Sequence, residues 1–169
     1  KIERFDYENR RAYARAVESD YFTEAEVDTT LKVLRLERHA RRERGSLEDY
    51  GLYAGEVHVT TVATQYKKIR FYTRENVGTE DIHLPPEELD TQAFVLTISA
   101  ETAEQLGLVG SERGAAWRGV GALVRRVAPL FLRCQPQDLG LSTEVRSTHF
   151  LRPAIVLYDR VQGGVGLAE

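Results

Sequence analysis

A chain of 169 residues is long enough to bury one hydrophobic core or two small lobes. Its 23 Lys and Arg stand against 26 Asp and Glu, so global charge selects no polyanionic partner. No apolar run approaches a membrane span, KIERFDYENRR is not a signal peptide, and the single cysteine, Cys134, excludes an internal disulfide framework, so a cytoplasmic protein with no membrane partner is expected.

The first part of the chain carries β signals. Short strands are expected at Arg11 to Ala16 and Thr29 to Leu36. The stretch HVTTVATQYKKIRFYT, His58 to Thr73, is rich in β-branched and aromatic residues and free of proline, which predicts two strands or one long bent strand. Toward its end Ile69 and Phe71 alternate with Lys68, Arg70 and Tyr72, giving one apolar and one cationic face. Further strands are expected at Asp81 to Leu84 and Ala93 to Ile98, with Pro85, Pro86 and the following EELD as a turn.

After Ser99 the period becomes helical. Ser99 is expected to cap a short helix with Glu101 and Glu104 in its first turns, ending near Gly107. A longer helix near residues 113–133 is expected to bury the stripe Trp117, Val120, Val124, Val127 and Phe131, with Arg118, Arg125 and Arg126 mostly off it. Pro129 should kink or end it, because proline lacks an N–H and clashes with the carbonyl four residues earlier. A last strand pair, Thr143 to Phe150 and Ala154 to Val161, precedes QGGVG. The expected class is α+β: a β-rich lobe over residues 1–99, then a mixed lobe over 100–169.

Three features could carry chemistry. The closing glycines, Gly163, Gly164 and Gly166, follow a strand, and backbone amides at such a turn can cradle a phosphate. The spacing matches neither a P-loop nor a dinucleotide fingerprint, so the residues favour a tight turn needing positive φ, with Asp159 capping or bracing it. His39, His58, His83 and His149 show no metal-binding spacing, and Cys134 by itself reads as a buried apolar residue. Among basic clusters, RLERHARRERG with Arg41 and Arg42 reads first as a solvated loop or helix and only second as a nucleic-acid contact. The better candidate is Lys67, Lys68, Arg70 and Arg74. A strand would project Lys68 and Arg70 on one face beside Tyr66 and Tyr72, and cations interleaved with aromatics suit single-stranded nucleic acid; the alternative is an exposed sheet face.

Four ordered blocks, GEVHVTTVATQYKKIRFYTRENVG, IHLPPEELDTQAFVLTI, VAPLFLRCQPQDLG and RPAIVLYDRVQGGVGLAE, resemble the C-terminal region of superfamily 2 DEAD/DEAH-box helicases related to mitomycin repair factor A. That resemblance implies a segment following two RecA-like motor domains and a winged-helix region, with a helix starting at the GGVG turn and leading to a cysteine cluster. The cluster joins the cysteine of the FLRC block to hold zinc, so the resemblance makes Cys134 one ligand of an incomplete site and overrides its reading as a core residue. Family members commonly have Asp next, where Gln135 stands here; Asp138 matches.

The implied function is an accessory module that guides or clamps single-stranded DNA in a DNA-repair helicase. ATP and magnesium would belong to motor domains of the same parent chain, since no phosphate-binding or DExH motif is present here. The absence of any methionine reads the same way, as a piece of a longer protein. Two alternatives stay open: an interaction module of a helicase-containing phage-defence system, and a small-ligand enzyme using the glycine turn and Asp159.

Overall fold

The computed structural model describes residues 1–40, 50–107 and 113–168. The fold is α+β, mainly antiparallel sheet. Its strands are β1 (Ile2–Asp6), β2 (Arg11–Ala14), β3 (Tyr21–Ala40), β4 (Tyr50–Arg70), β5 (Asn76–Asp81), β6 (Glu87–Ile98), β7 (Leu139–Glu144) and β8 (Ala154–Asp159). The helices are α1 (Ala100–Gln105) and α2 (Arg113–Leu132). The chain divides into two compact units, Lys1–Val27 with Ala63–Leu84, and Asp28–Val62 with Pro85–Glu169.

In the first unit β1 and β2 form an antiparallel hairpin. Asp6 Oδ1 accepts the Asn9 amide at 3.1 Å and so fixes the turn, a short-range role that suits aspartate. The end of β4 pairs antiparallel with β5, setting Tyr66 opposite Glu80 and Lys68 opposite Gly78. Strand β4 stops at Arg70, so Phe71 and Tyr72 lie in the following turn rather than on a strand. Phe71 is 47% exposed and stacks its ring near Phe22, and Tyr72 is 96% exposed, so the expected alternation of an apolar and a cationic face ends at Arg70.

In the second unit the strand order is β3, β4, β6, β8, β7. Strand β8 is buried along its whole length because both faces of the sheet are covered there, which explains the unbroken run AIVLY. One face packs Val57, Val59, Ala93, Val95, Ala154, Val156 and Tyr158 into a core. The other packs Ile98, Ala103, Trp117 and Ile155. Gly140 lies opposite Tyr158, and a Cβ there would sit 2.1 Å from the Tyr158 ring, so the aromatic takes the space glycine leaves.

Several expectations of extent change. EELD starts β6 rather than extending the proline turn, and the first strand of the last pair is Leu139–Glu144, with Thr148 to Phe150 in a turn. Arg35 to Ala40 belong to β3 rather than to a loop or helix, because the cross-strand ladder with β4 outweighs their polar composition. Ser99 caps α1, its Oγ accepting the Thr102 amide at 3.0 Å. Helix α2 passes through Pro129 and ends one turn later, where Arg133 takes a left-handed φ of 54°.

The buried stripe of α2 differs from the expected one. Trp117, Gly121 and Pro129 are buried and Val124 is half-buried, while Val120, Val127 and Phe131 face outward. Gly121 decides this. A Cβ there would meet Thr143 Cγ2 at 2.4 Å, so the helix backbone rests close on β7 at that point and turns the neighbouring valines away from the sheet.

Candidate functional site

Pleating sends Tyr66, Lys68 and Arg70 to one face of β4 and Lys67 to the other. Glu80 of β5 accepts hydrogen bonds from both Tyr66 Oη and Lys68 Nζ. These bonds hold the Glu80 carboxyl below its ordinary range and raise the Lys68 ammonium and the Tyr66 phenol above theirs. Glu26 of β3 likewise accepts from Lys67 Nζ and Gln65 Nε2, and the Lys67 bond lowers its carboxyl. Arg70 Nε stands 3.6 Å from Asp20 Oδ2.

The side chains of Tyr21, Phe22, Tyr66, Lys68, Glu80 and Ile82 help line a cleft of about 710 Å³ within the first unit. Lys68 Nζ is 5.9 Å from the Tyr21 ring centroid and 6.0 Å from that of Tyr66, within cation–π reach of both. The site therefore offers aromatic surface for stacking and cations for phosphate, each cation tempered by a nearby carboxylate. Tyr21, Glu26 and Glu80 were not legible from the local sequence, because only strand pairing brings them to β4. Arg41 and Arg42 lie outside the described residues.

The glycine turn uses its amides internally. Asp159 is fully buried, and its Oδ2 accepts the Val165 amide at 2.7 Å and the Leu167 amide at 3.2 Å. Gly163 N donates to Asp90 O at 2.7 Å, Gly164 N to Val161 O at 2.9 Å and Gly166 N to Gln92 Oε1 at 3.1 Å. Positive φ values of 79°, 73° and 79° at these three glycines allow the chain to wrap around the carboxylate. A turn whose amides converge on its own protein acceptors has none of them free to cradle a phosphate.

Cys134 sits between the end of α2 and a one-turn 3-10 helix, Pro136–Asp138, as a half-buried free thiol. Asp138 Oδ2 accepts the Gln135 amide at 2.8 Å, and its carbonyl accepts Arg160 N, also at 2.8 Å. Arg125 Nε donates to Leu139 O at 3.0 Å, tying the same loop back to α2. These bonds hold the Cys134 loop beside the start of the glycine turn. A soft thiol clear of the helix suits zinc, but a tetrahedral site takes about four ligands. Among the described residues no group of three or more His, Cys, Asp or Glu is placed to hold a metal ion, so these residues do not complete a site. His58 Nδ1 is 2.6 Å from Asp90 Oδ1, and His149 packs edge-on against Phe150. No helix among the described residues is long and apolar enough to cross a membrane.

Residues 120–169 match the family model described as the MrfA Zn-binding domain. Over its whole length the chain is 34% identical to a Bacillus subtilis (strain 168) protein described as the uncharacterized ATP-dependent helicase YprA, of which it spans 22%. The solved structure of the DUF1998 helicase MrfA bound to DNA superposes with a TM-score of 0.65 at 32% identity, covering 99% of this chain and 21% of that one. The structure of the same helicase bound to DNA and AMPPNP gives 0.58 at 30% identity, covering 99% and 19%. The chain thus spans about a fifth of the relatives it matches. From the similarity along its whole length and the shared fold, the chain belongs with the MrfA-related helicases as one region of them, the region in which residues 120–169 match the MrfA Zn-binding domain.

Proposed function

We propose that this chain is an accessory module of an ATP-dependent superfamily 2 DNA helicase acting in DNA repair in the cytoplasm. It would guide or clamp single-stranded DNA while motor domains of the same polypeptide bind ATP and magnesium. The observation that carries this reading is the alignment of 99% of the chain with a helicase solved bound to DNA. The cleft beside β4 supports it, because Tyr66 and Lys68 offer a stacking surface and a phosphate contact side by side, with Arg70 on the same face and Lys67 on the other. The internally satisfied amides of the glycine turn give no support to a small-ligand enzyme.

If this face tracks a strand, affinity should be weak, tolerant of sequence and steeply salt dependent. A patch neutralising about three phosphates predicts a log–log salt slope near −2 for single strands. Lys68→Ala with Arg70→Ala should flatten that slope by about 1.4, whereas Tyr66→Ala should weaken binding roughly tenfold with the slope unchanged. Glu80→Gln should act in the opposite direction and strengthen binding at low salt, because it removes the carboxylate that competes with phosphate for Lys68. Fluorescence anisotropy with a labelled single strand across a salt series measures all three. Binding that none of these substitutions alters would exclude this face, and Arg41 and Arg42 would be tested next.

Residues 100–169 would form the N-terminal part of the zinc-binding module, with Cys134 contributing one ligand and the others coming from outside the described residues. When bound, the zinc would cross-link these segments as a structural ion. The 169-residue chain should then carry well below one zinc per molecule, and a polypeptide of the relatives' length should carry a full equivalent that Cys134→Ser depletes. Elemental analysis of the purified proteins decides between these outcomes, and zinc held tightly in the 169-residue chain after Cys134→Ser would refute the ligand assignment.

A further inference from the structure

The second unit carries a cleft that none of the features above uses. Residues of β3 and β8, which two strands separate in the sheet order, line it together, so the sheet curls and its concave side opens there. Leu31, Val33, Phe150 and Val156 give it apolar walls around a volume of about 330 Å³. Phe150 is held in place by the Tyr53 ring at 5.0 Å and the His149 ring at 4.7 Å. Every lining residue belongs to the second unit, whereas the cleft beside β4 belongs to the first.

Two polar groups stand unpartnered among these apolar walls. Ser147 is 5% exposed and lines the cleft, yet its hydrogen bonds run through its backbone, from its amide to the Arg152 carbonyl and to its carbonyl from the Leu151 amide. Its hydroxyl has no partner among the described residues. Glu144, half-buried at the end of β7, lines the cleft too, and its carboxylate has no ion pair or hydrogen bond among the described residues. A hydroxyl and a carboxylate drawn out of water cost free energy until a donor reaches them, so the pair marks a place for a ligand bearing N–H groups. Lys32 is exposed at the same cleft and forms no ion pair among the described residues.

We propose that this cleft holds one unstacked nucleobase of a single strand, of the kind that carries an exocyclic amino group. The proposal rests on the reading of the chain as a module that handles single-stranded DNA. A base is planar and apolar on its faces, which suits walls of aliphatic and aromatic side chains. Its amino group is the donor that the Glu144 carboxylate lacks, the pairing by which carboxylates read cytosine. The Ser147 hydroxyl can donate to or accept from the ring edge. The adjoining phosphate would stay outside, beside Lys32 rather than against the carboxylate. The volume lies at the small end of the range for ligand pockets, about 300–1,000 Å³, so one base per chain is expected. Uracil would set a carbonyl oxygen against Glu144 where cytosine sets an amino group, and should be disfavoured.

The test is fluorescence anisotropy with labelled homopolymers of deoxycytidine and deoxyuridine, whose bases differ in that exchange. The 169-residue chain should bind the deoxycytidine strand about tenfold more tightly, the ratio expected of one hydrogen bond to a charged acceptor. Glu144→Gln should bring the ratio close to one, because an amide serves carbonyl and amino partners alike. Ser147→Ala should weaken both strands by roughly threefold. Lys68→Ala with Arg70→Ala should weaken both strands and leave the ratio unchanged. Equal affinity of the parent chain for the two strands would overturn this proposal while the single-strand reading stands, and that comparison needs no variant to fold. If the parent chain binds neither strand, the single-strand reading falls and this proposal with it. A preference that survives Glu144→Gln would place base recognition elsewhere and overturn the proposal. Deoxycytidine monophosphate that displaces the strand at equal concentration would make the cleft a site for free nucleotide and overturn it as well.

Discussion

Asp159→Ala is expected to destabilise the protein by about 3 kcal/mol, since hydrogen bonds to a charged group contribute about 1.5–3 kcal/mol and a stranded buried donor costs a further 1–3. The carboxylate is fully buried and receives the amides of Val165 and Leu167, which lie six and eight residues further on. Removing it leaves both amides without their acceptor in a turn whose glycines adopt positive φ. Partial access of water to that turn keeps the loss below the sum of the two bonds. Asp159→Asn keeps one acceptor oxygen and gives up the charge, so about half the loss is expected. Urea unfolding followed by circular dichroism gives the size of the effect, and limited trypsin cleavage after the exposed Arg160 reports whether the turn itself has opened. Variants that unfold at the parent midpoint with unchanged cleavage would show that the brace carries no stability.

Trp117→Ala should cost about 3–5 kcal/mol, the range for emptying a buried aromatic site. Trp117 is 3% exposed, packs with Ile98, Ala103 and Ile155, and donates from Nε1 to the Ala154 carbonyl at 3.0 Å. It joins α2 to β8 by both volume and a directed bond, so alanine leaves a cavity and removes that bond together. Against a typical domain stability of about 5–15 kcal/mol, such a loss would leave the protein marginal at 37 °C. Trp117→Phe retains most of the packing and drops the bond, for an expected cost of about 1–2 kcal/mol. Leu123→Ala on the opposite face of the same helix is the control and should stay within about 0.5 kcal/mol of the parent. Equal effects at positions 117 and 123 would contradict the orientation of α2.

The parts of this protein legible in its sequence are those governed by neighbours along the chain. Ser99 announced a helix start because an N-cap bonds an amide three residues away, and α2 showed itself through a long apolar period. The four sequence blocks likewise carried the family resemblance, since order along the chain needs no knowledge of contacts. What α2 buries was beyond that reach. Its apolar side chains cover more than one face, and the choice falls to the close approach of Gly121 to Thr143, a contact made across 22 residues of sequence. The cations of β4 were equally visible, but not their partners. Glu26 and Glu80 stand 41 and 12 residues from Lys67 and Lys68, on strands that meet β4 only after the sheet has formed. The sequence by itself thus determined elements, caps and kinship, because hydrogen bonding and periodicity act over a few residues. Only the tertiary structure decided which helix face is hidden and which charges are paired, because those are properties of surfaces that distant segments bring together.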